Sequence, residues 1–237
     1  MHKTLAYPPI VPLRPVQSSF TVVLVTLLAA LLARQVFAIW EGYDGSMTYD
    51  ELQAFGDAYW PMNLLVFGPS FGIGFACQAI LSWQLGRGRG RVTTWVGAGL
   101  LLTGGMLFAL VATAHSLPYD WAANHGILDE TTGRAVVAAF DGPGTAALVP
   151  YIIATQAVIA AGALVTAIGA RLSGTLPTWA LVAVVILVLA FVFVPEVPGS
   201  PIVIALSLAQ AAMWGAIGWF GWRAAQDSGA GPLRAGE

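Results

Sequence analysis

The stretch Arg34–Trp60, RQVFAIWEGYDGSMTYDELQAFGDAYW, is where the chain leaves one apolar run and approaches the next, and its acidity orients everything around it. Five carboxylates (Glu41, Asp44, Asp50, Glu51, Asp57) lie between Trp40 and Trp60, and no basic residue answers them in that loop. The segment before it, Phe20–Trp40, carries Arg34 and Gln35 as its only strongly polar pair, and the segment after it, Pro61–Leu85, is apolar again. Runs of about 19–25 such residues match a hydrocarbon core about 30 Å thick at 1.5 Å of helical rise per residue. Helices are expected because a spanning segment must satisfy its own backbone hydrogen bonds and these runs lack the alternating polarity of barrel strands.

Working outward, the same pattern recurs four more times. After the GRGRGR turn, Gly86–Arg91, a third helix is expected over Val92–Ala114, a fourth over Ala146–Ala170, a fifth over Leu176–Val194 and a sixth over Pro201–Trp222. Of the 237 residues 57% are hydrophobic and 9% charged, against roughly 45–50% apolar and about 25% charged in a soluble domain. A bilayer is the natural solvent for such a surface. The expected fold is an all-α bundle of six spans, 20–222, with outer loops 41–60, 115–145 and 195–200. A cytoplasmic lead-in, 1–19, precedes it and a flexible tail, 223–237, follows. The first run has Lys3 and Arg14 in front of it and VFA at 36–38, as a secretory leader would; it is read as a retained first span.

Charge distribution gives the orientation. One set of connections and ends holds Lys3, Arg14, Arg87, Arg89, Arg91, Arg171, Arg223 and Arg234 against Asp227 and Glu237. The opposite set holds Glu41, Asp44, Asp50, Glu51, Asp57, Asp120, Asp129, Glu130, Asp141 and Glu196 against Arg134. The excess of Lys and Arg in short loops marks the cytoplasmic side, so both termini are expected there. Trp40, Tyr59, Trp60, Tyr119, Trp121 and Tyr151 fall at the outer boundary, and Trp83, Trp95, Trp179, Trp219 and Trp222 at the inner one, as interfacial anchors do. Glycines in the second, third and fourth helices predict close helix contacts. Pro69 is expected to bend the second helix, where a small cavity would open among the glycines. Cys77 sits inside that helix as a small packing residue.

Within the acidic stretch Thr48, Tyr49, Asp50 and Glu51 match the [ST]-x-x-E box that starts a helix. Leu52, Phe55 and Tyr59 then form an apolar stripe, which predicts a surface helix lying as a lid. Arg134–Phe140 is a second expected surface helix. Most of the lid carboxylates are expected to be solvated; Glu41 and Asp57 differ because they adjoin the boundary tryptophans, where desolvation favours a protonated carboxyl able to act as a general acid. Asp44 is a supporting candidate. Arg34, about two turns inside the outer boundary, either snorkels toward Glu41 or faces the bundle and holds an anionic head group. With Trp40, Trp60 and Asn63 it makes up the candidate ligand contacts. His115, Asp120, His125, Asp129 and Glu130 include metal-binding residue types, but H-x4-D-x4-H-x3-D-E has no metal-site geometry behind its spacing, and no metal site is assigned.

Other classes are set aside by what is missing. Lys3 is the one lysine, so there is no membrane lysine for a retinal Schiff base; His115 and His125 lie outside the spans, so no axial histidine pair can hold haem. There is no phosphate-binding loop or dinucleotide fingerprint, no clustered basic residues for nucleic acid, and no acid deep in a span for ion coupling. No cofactor is assigned. From the second helix onward, the basic inner turn, the glycine-rich third helix and ARLSGTLPTWALV leading into the fifth resemble small six-helix bacterial membrane proteins of unknown function; that resemblance implies a bacterial plasma membrane. The Trp40-Glu41 pair is similar to the tryptophan-glutamate pair of small integral-membrane terpene cyclases, which implies Glu41 as the acid that protonates an isoprenoid. Those proteins carry a further acid late in the chain and typically seven helices, whereas the expected sixth helix here, Pro201–Trp222, has no acid and six spans are counted. The expected function is binding or sensing of a small apolar or lipid-like ligand, or of a partner protein, through the acidic outer face; the alternative is a metal-independent isoprenoid enzyme using Glu41, Asp57 and Asp44.

Overall fold

In the computed structural model, residues 15–42, 48–124, 126–140, 144–193 and 201–229 are described. Asp44, His125, Asp141, Glu196, the first fourteen residues and those after Gly229 lie outside them. The described residues are helical, with no strand among them. The long helices are α1 (Pro15–Glu41), α4 (Gly68–Trp83), α5 (Arg91–Ala123), α7 (Thr145–Leu172), α8 (Thr178–Phe193) and α9 (Pro201–Gly229). The short ones are α2 (Tyr49–Phe55), α3 (Tyr59–Met62) and α6 (Glu130–Ala139).

Among the described residues five stretches are long and apolar enough to cross a membrane: Ser19–Glu41, Tyr49–Trp83, Gly88–Ala123, Ala146–Leu172 and Pro201–Ser228. The expected fifth helix starts at Thr178 in place of Leu176, and its expected last residue, Val194, lies outside the described residues. As α8 its described part has 16 residues, about 24 Å at 1.5 Å each. Large aliphatic side chains face outward all along the long helices, among them Val25, Leu32, Ile39, Leu110, Ile153 and Ile186. A soluble monomer does not carry so much exposed apolar surface, whereas lipid covers it at no cost. The chain is a multi-pass membrane protein.

α5 is the centre of the bundle, with α4 on one flank and α7 on the other. Its contact with α7 is built from small residues at alternating spacings of three and four: Thr94, Gly97, Leu101 and Gly104 against Ile159, Gly162, Thr166 and Gly169. A methyl group on Gly97 would run into the Thr166 backbone, and one on Gly169 into the Thr94 backbone. The two main chains therefore touch, as they must where no hydrophobic force drives helices together. Gly105 makes the same kind of room for the Phe75 ring, and Gly221 for the Leu81 carbonyl, which seats α9 against α4.

Hydrogen bonds across the sequence sort the helix ends. Arg87, in the α4–α5 turn, donates from its main-chain N–H to Ser173 Oγ after α7 and from Nη2 to Ala224 O and Ser228 Oγ at the end of α9. Trp222 Nε1 donates to Thr21 Oγ1 near the start of α1. Four ends thus share one side of the bundle, and it is the arginine-rich side. At the other end Arg34 and Gln35 part company: Gln35 Nε2 bonds Ser207 Oγ of α9 at 3.3 Å, while Arg34 turns toward the ring of Phe71.

Pro69 acts through the residues before it. A π-helical turn, Asn63–Phe67, joins α3 to α4, with Pro69 in the first turn of α4. Proline cannot donate to the carbonyl four residues back, and the wider turn is one way a helix accommodates such a break.

The third helix departs most from expectation. α5 continues past Ala114 to Ala123, straight through Pro118. An interior proline costs roughly 3 kcal/mol in an isolated helix, but here Tyr119, Ala122 and Ala123 are buried against Tyr49, Leu52, Tyr59 and Val137, and that burial offsets it. The second surface helix starts earlier than Arg134, at Glu130, because Asp129 caps it by accepting from Thr132 N–H at 3.0 Å. α1 begins at Pro15, inside the expected lead-in, and α9 runs to Gly229, inside the expected tail.

Candidate functional site

The first outer segment folds as its capping box dictates. Thr48 N–H donates to Glu51 Oε2 at 2.7 Å, and Glu51 N–H to Thr48 Oγ1 at 3.3 Å. This starts α2, whose Leu52 is fully buried. Of the carboxylates that nothing in the loop answers, Asp50 is met from the other acidic segment. Arg134 of α6 reaches Asp50 at 2.6 Å and Glu130 of its own helix at 2.9 Å, and its guanidinium lies 4.7 Å over the Tyr49 ring. The hydrogen bonds it donates to these carboxylates, Asp50 first, hold Arg134 protonated above its already high range. α2 and α6 together cap the protruding end of α5.

Under this lid is a buried polar group that the spacing of the sequence did not reveal. Asp120 is 1% exposed and accepts from Asn124 Nδ2 at 3.1 Å. Asn63, a candidate ligand contact, is buried and donates to Tyr59 O at 3.0 Å. Trp40 packs its ring between Phe37 at 5.6 Å and Phe55 at 4.5 Å. Trp60 and Glu41 are half-buried, and Asp57 is exposed on a 3-10 turn after α2. Among the described residues no group of three or more His, Cys, Asp or Glu is gathered to hold a metal ion.

Of the predicted site residues, Arg34 is the one that meets a cavity. It lines a partly open cavity of about 100 Å³ between the helices, walled by Phe71, Phe75, Phe108 and Trp214, with Gln156 and Gln210 as further polar groups. Arg34 comes from α1, the phenylalanines from α4 and α5, Gln156 from α7, Leu187 and Val188 from α8, and Gln210 and Trp214 from α9. All six long helices contribute. The rings hold one another in place: Phe71 meets Phe108 edge-on at 4.7 Å, and Phe75 meets Trp214 edge-on at 5.5 Å. The Arg34 guanidinium sits 4.8 Å from the centre of the Phe71 ring. A cation over an aromatic face is attracted by the ring quadrupole.

A second chamber of about 20 Å³ shares Arg34, Phe71, Phe75 and Trp214 with the first and adds Ser70 and Gln78. Gln78 is 1% exposed, donates through Nε2 to Ser82 Oγ at 3.3 Å, and has no hydrogen-bond partner at Oε1. That volume accommodates one water, and three polar neighbours are what a buried water needs. Glu41, Trp40, Trp60 and Asn63 line neither chamber. Arg34 lines both.

Phe71, Phe75, Phe108 and Trp214 were not foreseen as site residues. Trp214 had a signal of its own: it is a tryptophan in mid-span, away from both boundary belts, where the interface preference does not explain it. Comparison with protein-family models, with curated proteins and with solved structures finds no match to this chain.

Proposed function

We propose that this protein binds a small apolar or lipid-like molecule inside the bundle, with the polar end of the ligand held by Arg34, Gln156 and Gln210 and its apolar part against Phe108 and Trp214. The observation that carries the reading is Arg34 over Phe71 on the wall of a cavity to which six helices contribute. An arginine is expensive to keep at membrane depth, and an aromatic chamber with a few convergent polar groups is the usual form of a small-molecule site. The ligand end is anionic or rich in acceptors, because a guanidinium only donates. Recognition thus moves from the acidic outer face to the interior, with the lid above it.

The same reading takes α8 as a sixth span and sets both termini on the cytoplasmic side of a bacterial plasma membrane. Support for six spans comes from Arg87: its bonds to Ser173 and Ser228 bring the start of α8 and the end of α9 to one side, so a 28-residue span in α9 requires α8 to have crossed before it. The abundance of arginine at that side supports the orientation.

The test is photolabelling of the reconstituted protein with a diazirine-bearing fatty acid, followed by mapping of the adducts. Saturable labelling of α8 and α9 around Leu187 and Trp214 is expected, and Arg34→Met should weaken it. Labelling confined to the lipid-facing residues, unchanged by Arg34→Met, would remove the cavity from the function.

A further inference from the structure

The bonds of Arg87 leave a concavity at the arginine-rich end, between the α4–α5 turn and the end of α9, which the cavity site does not use. It has a volume of about 440 Å³ and is lined by Trp83, Arg87, Arg91, Trp95 and Ser228, together with the turn that joins α4 to α5. We infer that this concavity binds the phosphate of an anionic membrane lipid.

Three observations converge on a lipid phosphate. First, the charge is concentrated and held. Arg87, Arg89 and Arg91 fall within five residues, and Nη2 of Arg87 is fixed by two hydrogen bonds of 2.6 Å to Ala224 O and Ser228 Oγ. The acid of this end, Asp227, lines the neighbouring concavity with Arg223 and is absent from the lining of this one. Secondly, the guanidinium carbon of Arg91 lies over an indole, 4.1 Å from the centre of Trp95, and Trp95 is itself stacked on Trp83 at 4.4 Å with 14° between the planes. The ring contact holds the Arg91 head group beside the concavity, and a guanidinium is the group that makes the paired hydrogen bonds a phosphate accepts. Tryptophans prefer the head-group level of a bilayer, which is where a lipid phosphate lies.

The third observation separates a lipid from a free anion. Roughly a quarter-turn or more round α5 from Arg91, Val92 and Val96, both more than half exposed, and Gly99, where nothing lies within 4 Å of an added methyl group, run on into the membrane. These positions, spaced by four and three, form one strip, a shallow apolar track for an acyl chain that begins beside the arginines. A site for inorganic phosphate has no use for it. Basic pockets next to spanning helices are where anionic head groups bind.

The test uses the full chain in nanodiscs of phosphatidylcholine containing phosphatidylglycerol, with retained lipids counted by native mass spectrometry. Severalfold preferential retention of phosphatidylglycerol is expected. Arg91→Gln should abolish the preference, Arg91→Lys should keep part of it, and Arg89→Gln, whose arginine is exposed but does not line the concavity, should keep it in full. Retention without preference in the unaltered protein, or equal loss in Arg89→Gln and Arg91→Gln, would overturn the site in favour of diffuse charge. Displacement of the lipid by inorganic phosphate at constant ionic strength would overturn the lipid assignment, since the apolar track would then add nothing.

Discussion

Arg134 and Asp50, 84 residues apart in the chain, meet at 2.6 Å and join the two outer segments into one lid. Both side chains are exposed, so the pair is screened by water and salt and holds the lid locally without setting global stability. Asp50→Asn is expected to speed amide exchange in α2 and α6 while leaving α4 and α5 protected. Equal exchange in the variant and the parent would mean that burial of Leu52 and Tyr49 holds the lid alone.

Asp129 gives the lid a pH dependence. Its carboxylate accepts from the hydroxyl and the main-chain N–H of Thr132, which holds its pKa below the usual 3.8. For a lowered carboxyl the stabilisation is fully present above the unfolded value and is lost as pH falls through the folded one. Protection of α6 should therefore be flat from neutral pH down to the ordinary carboxyl range and decline only below it. In Asp129→Ala it should be low at every pH. Hydrogen exchange across that range, corrected for intrinsic rates, is the measurement.

The α5–α7 contact should tolerate no added volume at its centre. Gly97→Ala drives a methyl group into the Thr166 backbone, and overpacking of this kind typically costs about 1–3 kcal/mol. Gly99→Ala, two residues away and facing open space, should be neutral. Denaturation in mixed micelles compares the two directly; equal effects would mean that the helices are less closely seated than described.

Arg34→Lys is expected to weaken binding of an anionic amphiphile although the charge is kept. Lysine cannot lie flat on Phe71 and offers no planar fork of donors. The loss of the ring contact alone is worth about 0.5–2 kcal/mol, and affinity measured in nanodiscs should fall accordingly. Affinity equal to that of the parent would show that Arg34 acts there only as a point charge.

A crossing of the membrane by α8 predicts that cysteines placed at Arg89 and Asp227 react with an impermeant thiol reagent from one side, and a cysteine at Thr131 from the other. Cys77 is buried and its replacement by Ala clears the background. Reaction of Arg89 and Asp227 replacements from opposite sides would remove one crossing.

The sequence made the lid legible because its signals are local: a threonine with a glutamate three residues on, then Leu52, Phe55 and Tyr59 on one stripe. Arg34 stood out because charge is rare at that depth. The surroundings of Arg34 were not legible, since Phe71, Phe75 and Phe108 are ordinary residues in a membrane helix, and only their meeting between α4 and α5 makes a wall. The extension of α5 through Pro118 was hidden for the same reason. Proline argues locally against a helix, and the burial of Tyr119 and Ala122 that outweighs it comes from α2 and α6.

The π-helical turn at Asn63–Phe67 has a rotational consequence. One additional residue in the turn sets everything after it back by about 100° relative to an unbroken helix of 3.6 residues per turn. Tyr59 and Phe71 would stand about 120° apart on such a helix, and the extra residue turns them toward the same side, so that one continuous rod gives Tyr59 to the lid cluster and, further down, Phe71 and Phe75 to the cavity. The turn is a phase adjuster that aligns two layers along one side of the rod.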